Sequence, residues 1–128
     1  MRDLKDTVAW ITGAGTGIGE GAAVAMAREG TKVILTGRRL DPLEQVSKKI
    51  EDAGGFVEIA QGDAMDRPGM MALAKDIQNR YGKLDLLFNN HGINITNRNW
   101  GGGNLEGWDE VIDVNVKGAY NCALAALE

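Results

Sequence analysis

The sequence has one cysteine, Cys122, and one histidine, His91, in 128 residues. A single thiol excludes an internal disulfide, and one Cys with one His makes no cluster of zinc-ligand spacing, so no metal is expected. Cys122 lies among alanines and leucines on a helical stretch and reads as a small buried hydrophobe. Excess positive charge is also absent: the formal net charge is −4 and the pI is near 5.0. That argues against nucleic acid as a partner, because a sequence-independent grip on phosphates needs a broad basic field. No apolar run is long enough to span a bilayer. The N-terminus carries Arg2, Asp3, Lys5 and Asp6 before a short apolar stretch, which fits neither a secretory leader nor a membrane anchor. The expectation is a cytoplasmic protein with a small-molecule partner. There is no internal repeat or low-complexity segment, and the length fits one domain over residues 1–128.

Four short apolar runs rich in β-branched residues stand at residues 7–12, 32–36, 56–60 and 84–88, separated by longer segments of helical periodicity. They read as parallel strands buried on both faces. Asp41 is expected to cap the second helix, with Pro42 at its first position, Glu44 completing a capping box and Gly54 past its end. Leu43, Val46 and Ile50 mark its buried stripe. Asp66 is expected to cap the third helix and Gly82 to stop it, with Met70, Leu73, Ala74, Ile77 and Tyr81 facing the core. Strand alternating with helix predicts an α/β fold, a Rossmann-type doubly wound parallel sheet whose ligands sit beyond the carboxyl ends of its strands. Residues 97–107, NRNWGGGNLEG, read as a linker-like surface loop with Trp100 exposed or half docked.

Directly after the first strand comes ITGAGTGIGEG, with glycine at every second position from Gly13 to Gly21. Bare backbone at a strand-to-helix turn lets an anion reach the amide N–H groups at the positive end of the helix dipole. The strict G-x-G-x-x-G spacing is not met, since Ile18 or Glu20 stands where its third glycine belongs, and no Gly-Lys-Ser/Thr follows to make a P-loop. What stands is T-G-x-x-x-G-I-G over residues 12–19. The alternative reading, close packing of the first helix on the sheet, remains open for Gly15 and Gly21. At the end of the second strand, an enzyme that prefers NAD places an acid for the ribose 2′-hydroxyl. Here Arg38 and Arg39 follow Gly37. A forked, permanently charged donor suits a 2′-phosphate, so NADP(H) is favoured over NAD(H).

With TGAGTGIG after the first strand, GDAMD after the third, LLFNNHG at the fourth and VIDVNVKGAY in the last helix, the chain resembles the short-chain dehydrogenase/reductase family from Asp6 to its C-terminus. The resemblance implies that residues 12–19, with Gly13, Gly17, Ile18 and Gly19, form a pyrophosphate-binding turn. Thr16 stands where other members often place a basic residue that helps bind NADP. Asp63 and Ala64 match an adenine-binding pair, and Asn89, Asn90, His91 and Gly92 match an N-N-A-G run that touches the adenine ribose and stabilises the sheet. His91 departs from the usual alanine, as a ribose contact or as an altered packing residue. Asn115 matches an asparagine that interrupts its helix and holds a water in a proton relay, the one catalytic position the resemblance assigns in this chain.

The family's activity is hydride transfer between a nicotinamide and a carbonyl or alcohol carbon, with a tyrosine moving the proton, a lysine four residues later and a serine. Here Tyr81 is followed four positions later by Asp85, and Tyr120 by Leu124, so neither is that tyrosine. The chain stops at Glu128, in the helix after the fourth strand, before the serine and the Tyr-x-x-x-Lys pair are reached. It therefore looks like the cofactor-binding N-terminal half of an NADP(H)-dependent oxidoreductase acting on a small carbonyl or alcohol compound, with the sheet truncated after its fourth strand and following helix. A homo-oligomer through the C-terminal helix is expected. The alternative is a non-catalytic nucleotide-binding or assembly module.

Overall fold

The computed structural model describes residues 3–97, 99 and 103–128. The central strand β1, Val8–Thr12, is buried along its whole length. Its apolar residues alternate between two layers, as a period of two requires. Ala9 and Ile11 face one core with Val33, Leu35, Leu43, Val46 and Ile50. Val8 and Trp10 face the other with Ile34, Met70, Ala74, Ile77 and Cys122. The two layers sit on opposite faces of one sheet.

Around β1 the order of elements is α1 Gly17–Arg28, β2 Lys32–Thr36, α2 Leu40–Asp52, β3 Val57–Ile59, α3 Arg67–Tyr81 and β4 Leu86–Phe88. They are followed by α4 Leu105–Ile112, a π-helical turn Asp113–Lys117 and α5 Gly118–Leu127. The four strands run parallel in the order β3-β2-β1-β4. In register, Thr12 pairs with Thr36, Ile11 with Phe88, and Leu35 with Ile59. The chain winds outward from β1 to β3 and then crosses to β4 on the other side. That reversal opens a crevice between the carboxyl ends of β1 and β4, where doubly wound sheets bind their ligands.

Ladder bonds carry β3 and β4 slightly past their bounds: Val33 N–H donates to Phe56 O at 3.2 Å and Asp85 N–H to Val8 O at 2.9 Å. Trp10 fills the lower layer with no exposure, and its indole N–H donates to Thr36 Oγ1 at 2.9 Å. Thr36 passes its own proton to Ala60 O at 2.8 Å, so one buried line of hydrogen bonds spans β1, β2 and the end of β3.

The third helix starts and stops as the sequence predicts. Asp66 Oδ1 accepts Gly69 N–H at 3.1 Å, and Gly82 ends α3 in the left-handed region with φ 73°. The second helix corrects the expectation. Its N-cap is Arg39, whose side chain makes no capping bond, and Asp41 and Pro42 lie inside the first turn. Proline is tolerated there because the first N–H groups of a helix have no internal partner to lose. The loop expected over 97–107 is also shorter than predicted, because Asn104 caps α4 by accepting Gly107 N–H at 3.1 Å. Trp100 lies outside the described residues. The close packing suggested at Gly21 is not found: the residue is exposed, and a Cβ there would meet nothing within 4 Å.

Candidate functional site

At the tip of β1 the chain turns at Gly13, with φ +60°. A Cβ at Gly13 would come within 2.8 Å of His91 Cα and 2.9 Å of Asn90 O, so the turn and the segment after β4 approach as only glycine allows. A Cβ at Gly19 would run into Gly13 O. Gly15 is a packing glycine, 2.8 Å from Pro42 Cβ on the same measure. Helix α1 then begins at Gly17, and its N-cap Thr16 makes no side-chain capping bond. The first N–H groups of α1 thus stand at the positive helix end without a side-chain cap, beside an open cleft.

Four stretches wall that cleft. They are Thr12 of β1 with Gly13, Gly15 and Thr16 of the turn after it, Thr36 with Gly37, Arg38 and Arg39 from β2, Gly62–Ala64 after β3, and His91–Ile93 after β4; Val114 of the π turn and Pro42 and Leu43 of α2 complete it. Of the predicted residues, Gly13, Thr16, Arg38, Arg39, Asp63, Ala64, His91 and Gly92 are brought together in its lining. Gly17, Ile18, Gly19, Asn90 and Asn115 are not in the lining. The first three build the opening turn of α1, where Ile18 is 76% exposed. Asn90 Nδ2 donates to Gly13 O at 3.2 Å and so braces the glycine turn from β4. Gly62, Ile93 and Val114 are lining residues that sequence reasoning missed. Only their adjacency to Asp63, Gly92 and Asn115 could have pointed to them.

His91 joins the elements on either side of the crevice. Thr12 Oγ1 accepts the backbone N–H of Asn90 at 3.0 Å and of His91 at 3.2 Å, and lies 3.0 Å from His91 Nδ1. With both lone pairs used, the threonine hydroxyl has its proton left to give, and Nδ1 at 3.0 Å is a better acceptor than Asn89 Oδ1 at 3.4 Å. His91 Nε2 must then carry the imidazole hydrogen, donated to Val114 O at 3.1 Å. The network therefore assigns a neutral Nε2–H tautomer. Burial holds the imidazole below its ordinary value, outweighing the Val114 carbonyl and the Asp63 carboxylate, which pull it up. Gly118 makes room, since a Cβ there would sit 2.5 Å from Nε2.

Asn115 stands in the π turn, an insertion of the kind often found at functional sites. Its carboxamide clamps one backbone residue at both ends: Oδ1 accepts Ile93 N–H at 2.8 Å and Nδ2 donates to Ile93 O at 3.0 Å. The turn therefore fixes the segment that follows Gly92.

The other titratable candidates stand apart from the cleft. Cys122 has no exposure, and burial pushes its thiol up to about 11, which leaves it protonated and inert at neutral pH. Burial and the Glu58 carboxylate push the Tyr81 phenol up to about 12, at the end of α3 away from the rim. Among the described residues no group of three or more His, Cys, Asp or Glu side chains could hold a metal, and no helix is long and apolar enough to cross a membrane.

Residues 7–128 match the sequence profile of the short chain dehydrogenases. The chain belongs to that family. A relative from Listeria innocua, called an uncharacterized oxidoreductase, is 36% identical over 124 residues, which are 97% of this chain and 50% of the relative. Among solved structures, a short-chain dehydrogenase/reductase from Burkholderia xenovorans superposes with a TM-score of 0.92 at 28% identity, covering 99% of this chain and 50% of its own. A metagenomic short-chain oxidoreductase in complex with NADP superposes with a TM-score of 0.90 at 31% identity, covering 98% of this chain and 57% of its own. This short-chain dehydrogenase chain spans about half the length of the curated relatives it matches and corresponds to the N-terminal half of the family's fold.

Proposed function

We propose that this chain carries the dinucleotide-binding half of an NADP(H)-dependent oxidoreductase, the whole protein transferring hydride between the nicotinamide and a small carbonyl or alcohol compound. The observation that carries the cofactor preference is the pair Arg38 and Arg39 at the tip of β2, lining the same cleft as the glycine turn with Asp63 as its one carboxylate among the described residues. The residues fit the group. Gly13 and Gly19 leave a cradle that side chains would fill, and the first turn of α1 offers uncapped N–H groups to a pyrophosphate. Gln61 Nε2 donates to Arg38 O at 2.8 Å, which sets the backbone from which the guanidinium reaches a 2′-phosphate. The likeness to a short-chain oxidoreductase in complex with NADP supports the same reading.

When bound, the nicotinamide supplies the hydride chemistry. This chain's residues bind and orient. Asp63 accepts from the base, His91 and Gly92 border the ribose, and Asn115 holds the segment after Gly92. Neither tyrosine of this chain moves the substrate proton: Tyr81 is held protonated at the wrong end of the sheet, and Tyr120 is 58% exposed on α5. The exposed apolar side chains Leu105, Ile112, Val116 and Tyr120 along α4, the π turn and α5 form the surface through which we propose two copies associate.

Calorimetric titration with NADPH and NADH tests the cofactor reading. Wild type is expected to bind NADPH more tightly, and Arg38→Asp to weaken NADPH by roughly tenfold or more while NADH changes little, the loss of one charge-assisted contact. An unchanged preference in the variant removes Arg38 from the site.

A further inference from the structure

The wall of the cleft after β3 is held from a helix that does not itself line it. Asn121 on α5 is 3% exposed, and both ends of its carboxamide are engaged. Nδ2 donates to Ala64 O at 2.9 Å, and Oδ1 accepts Arg67 Nε at 2.9 Å. A carbonyl on one side and a guanidinium on the other leave one orientation for the amide. The Arg67 guanidinium also lies 5.8 Å from the centre of the Tyr120 ring. Neighbouring positions of α5 are apolar and buried, Cys122 and Ala125 among them, so packing alone would favour an apolar side chain here. A carboxamide in such a face is costly unless fully satisfied, and this one is satisfied by the turn that borders the cleft.

That turn is also fixed from within. Asp63 Oδ1 accepts Met65 N–H at 2.9 Å, and Asp63 O accepts Asp66 N–H at 2.9 Å. The carboxylate is thereby oriented; Gly62 N–H, donating to Gly37 O at 3.1 Å, ties the start of the turn to the tip of β2, and Asn121 ties its Ala64 and Arg67 end to α5. An ionised carboxylate only accepts hydrogen bonds. It is matched by the exocyclic amine of adenine and repelled by the carbonyl oxygen that hypoxanthine carries at the same position.

We propose that Asn121 is a positioning residue for base recognition: by tying Ala64 and Arg67 to α5 it holds Asp63 where it selects adenine over a 6-oxo purine. The inference rests on the dinucleotide reading of the cleft given above. Asn121 itself touches no ligand. Its effect is read in a ratio of affinities rather than in affinity alone.

The test titrates the 128-residue chain calorimetrically with NADP+ and with nicotinamide hypoxanthine dinucleotide phosphate. Wild type is expected to favour the adenine form by about tenfold or more, the cost of leaving a polar group facing the wrong partner. In Asn121→Ala the ratio should fall to about threefold or less, and Arg67→Ala, whose side chain is on the surface, should move it in the same direction by a smaller factor. A residue that serves only stability lowers the melting temperature and both affinities together, so a ratio unchanged in both variants overturns the proposal. If Asn121→Ala does not fold, Arg67→Ala decides alone. Wild type that binds both nucleotides equally also overturns it, whereas wild type that binds neither removes the dinucleotide reading beneath it.

Discussion

At the residue scale, the informative position is the one where this chain departs from the pattern it otherwise follows. His91 stands where the family resemblance implies alanine, and its imidazole is threaded between the Thr12 hydroxyl and the Val114 carbonyl. A neutral ring satisfies both partners; a protonated one presents a second N–H to a hydroxyl whose lone pairs already accept two backbone groups. The pH dependence follows. Because the folded value lies below the unfolded value of about 6.5, the unfolded state binds the extra proton first, and stability is lost as pH falls through that value toward the lowered one. Above it the contribution is fully present. The charged group that faces the ring is Asp63, which reduces the effect without reversing it. Urea unfolding followed by circular dichroism should therefore show wild type losing more stability between pH 7.5 and pH 5.5 than His91→Ala loses. Since His91 is the only histidine in the sequence, its ring nitrogens can be read by NMR without assignment ambiguity, and an Nδ1–H tautomer at neutral pH would contradict the network.

At the scale of elements, capping chemistry separates what was legible from what was not. Asp66 is a helix cap in the sequence and in the structure, and Asp66→Ala should cost about 1 kcal/mol, or about 4 °C in melting temperature, while Asp66→Asn should be nearly neutral. Both variants are read by a thermal melt, and equal losses would mean that the charge rather than the cap matters. The four strands and the stops at Gly54 and Gly82 were readable because each is written in local chemistry: short apolar runs, β-branched residues and left-handed glycines; the burial on both faces expected of all four strands holds for β1 and β2 but not for β3 and β4, which flank them and stay partly exposed. Asp41 misled because with Glu44 it makes a complete capping-box pattern, which Asp66, followed three residues later by Gly69, lacks; yet the chain leaving β2 enters the helix at Leu40, and tertiary placement decides between competing starts. The glycine run before Asn104 hid a helix start in the same way. Gly13 and Arg38 could be placed on the cleft because they follow strand tips, and Asp63, four residues past β3, through the family resemblance alone. The roles of Thr12, Asn121 and Val114 were not, since each depends on a partner 23 to 79 positions away that only the folded chain supplies.

At the scale of the whole molecule, the features left over are apolar and exposed. Among the described residues β4 pairs on one side only, and its own Leu86 is 39% exposed. The helical face beyond adds Ile112 at 54%, Val116 at 61% and Tyr120 at 58%. Apolar exposure of this kind is what the association of two copies proposed above would cover. Val116→Glu should shift the sedimentation profile toward monomer at micromolar concentration with the circular dichroism spectrum unchanged; wild type that sediments as a monomer would remove this face from consideration.

The buried line from Trp10 through Thr36 to Ala60 has a practical consequence as well. Thr36 borders the cleft, and the indole that donates to it has no contact with solvent. The chain thus contains a built-in optical gauge one hydrogen bond from the wall of its own crevice. The resonance of its ring N–H, and its emission colour once Trp100 and Trp108 are replaced, register movement of the β2 tip without any dye or tag.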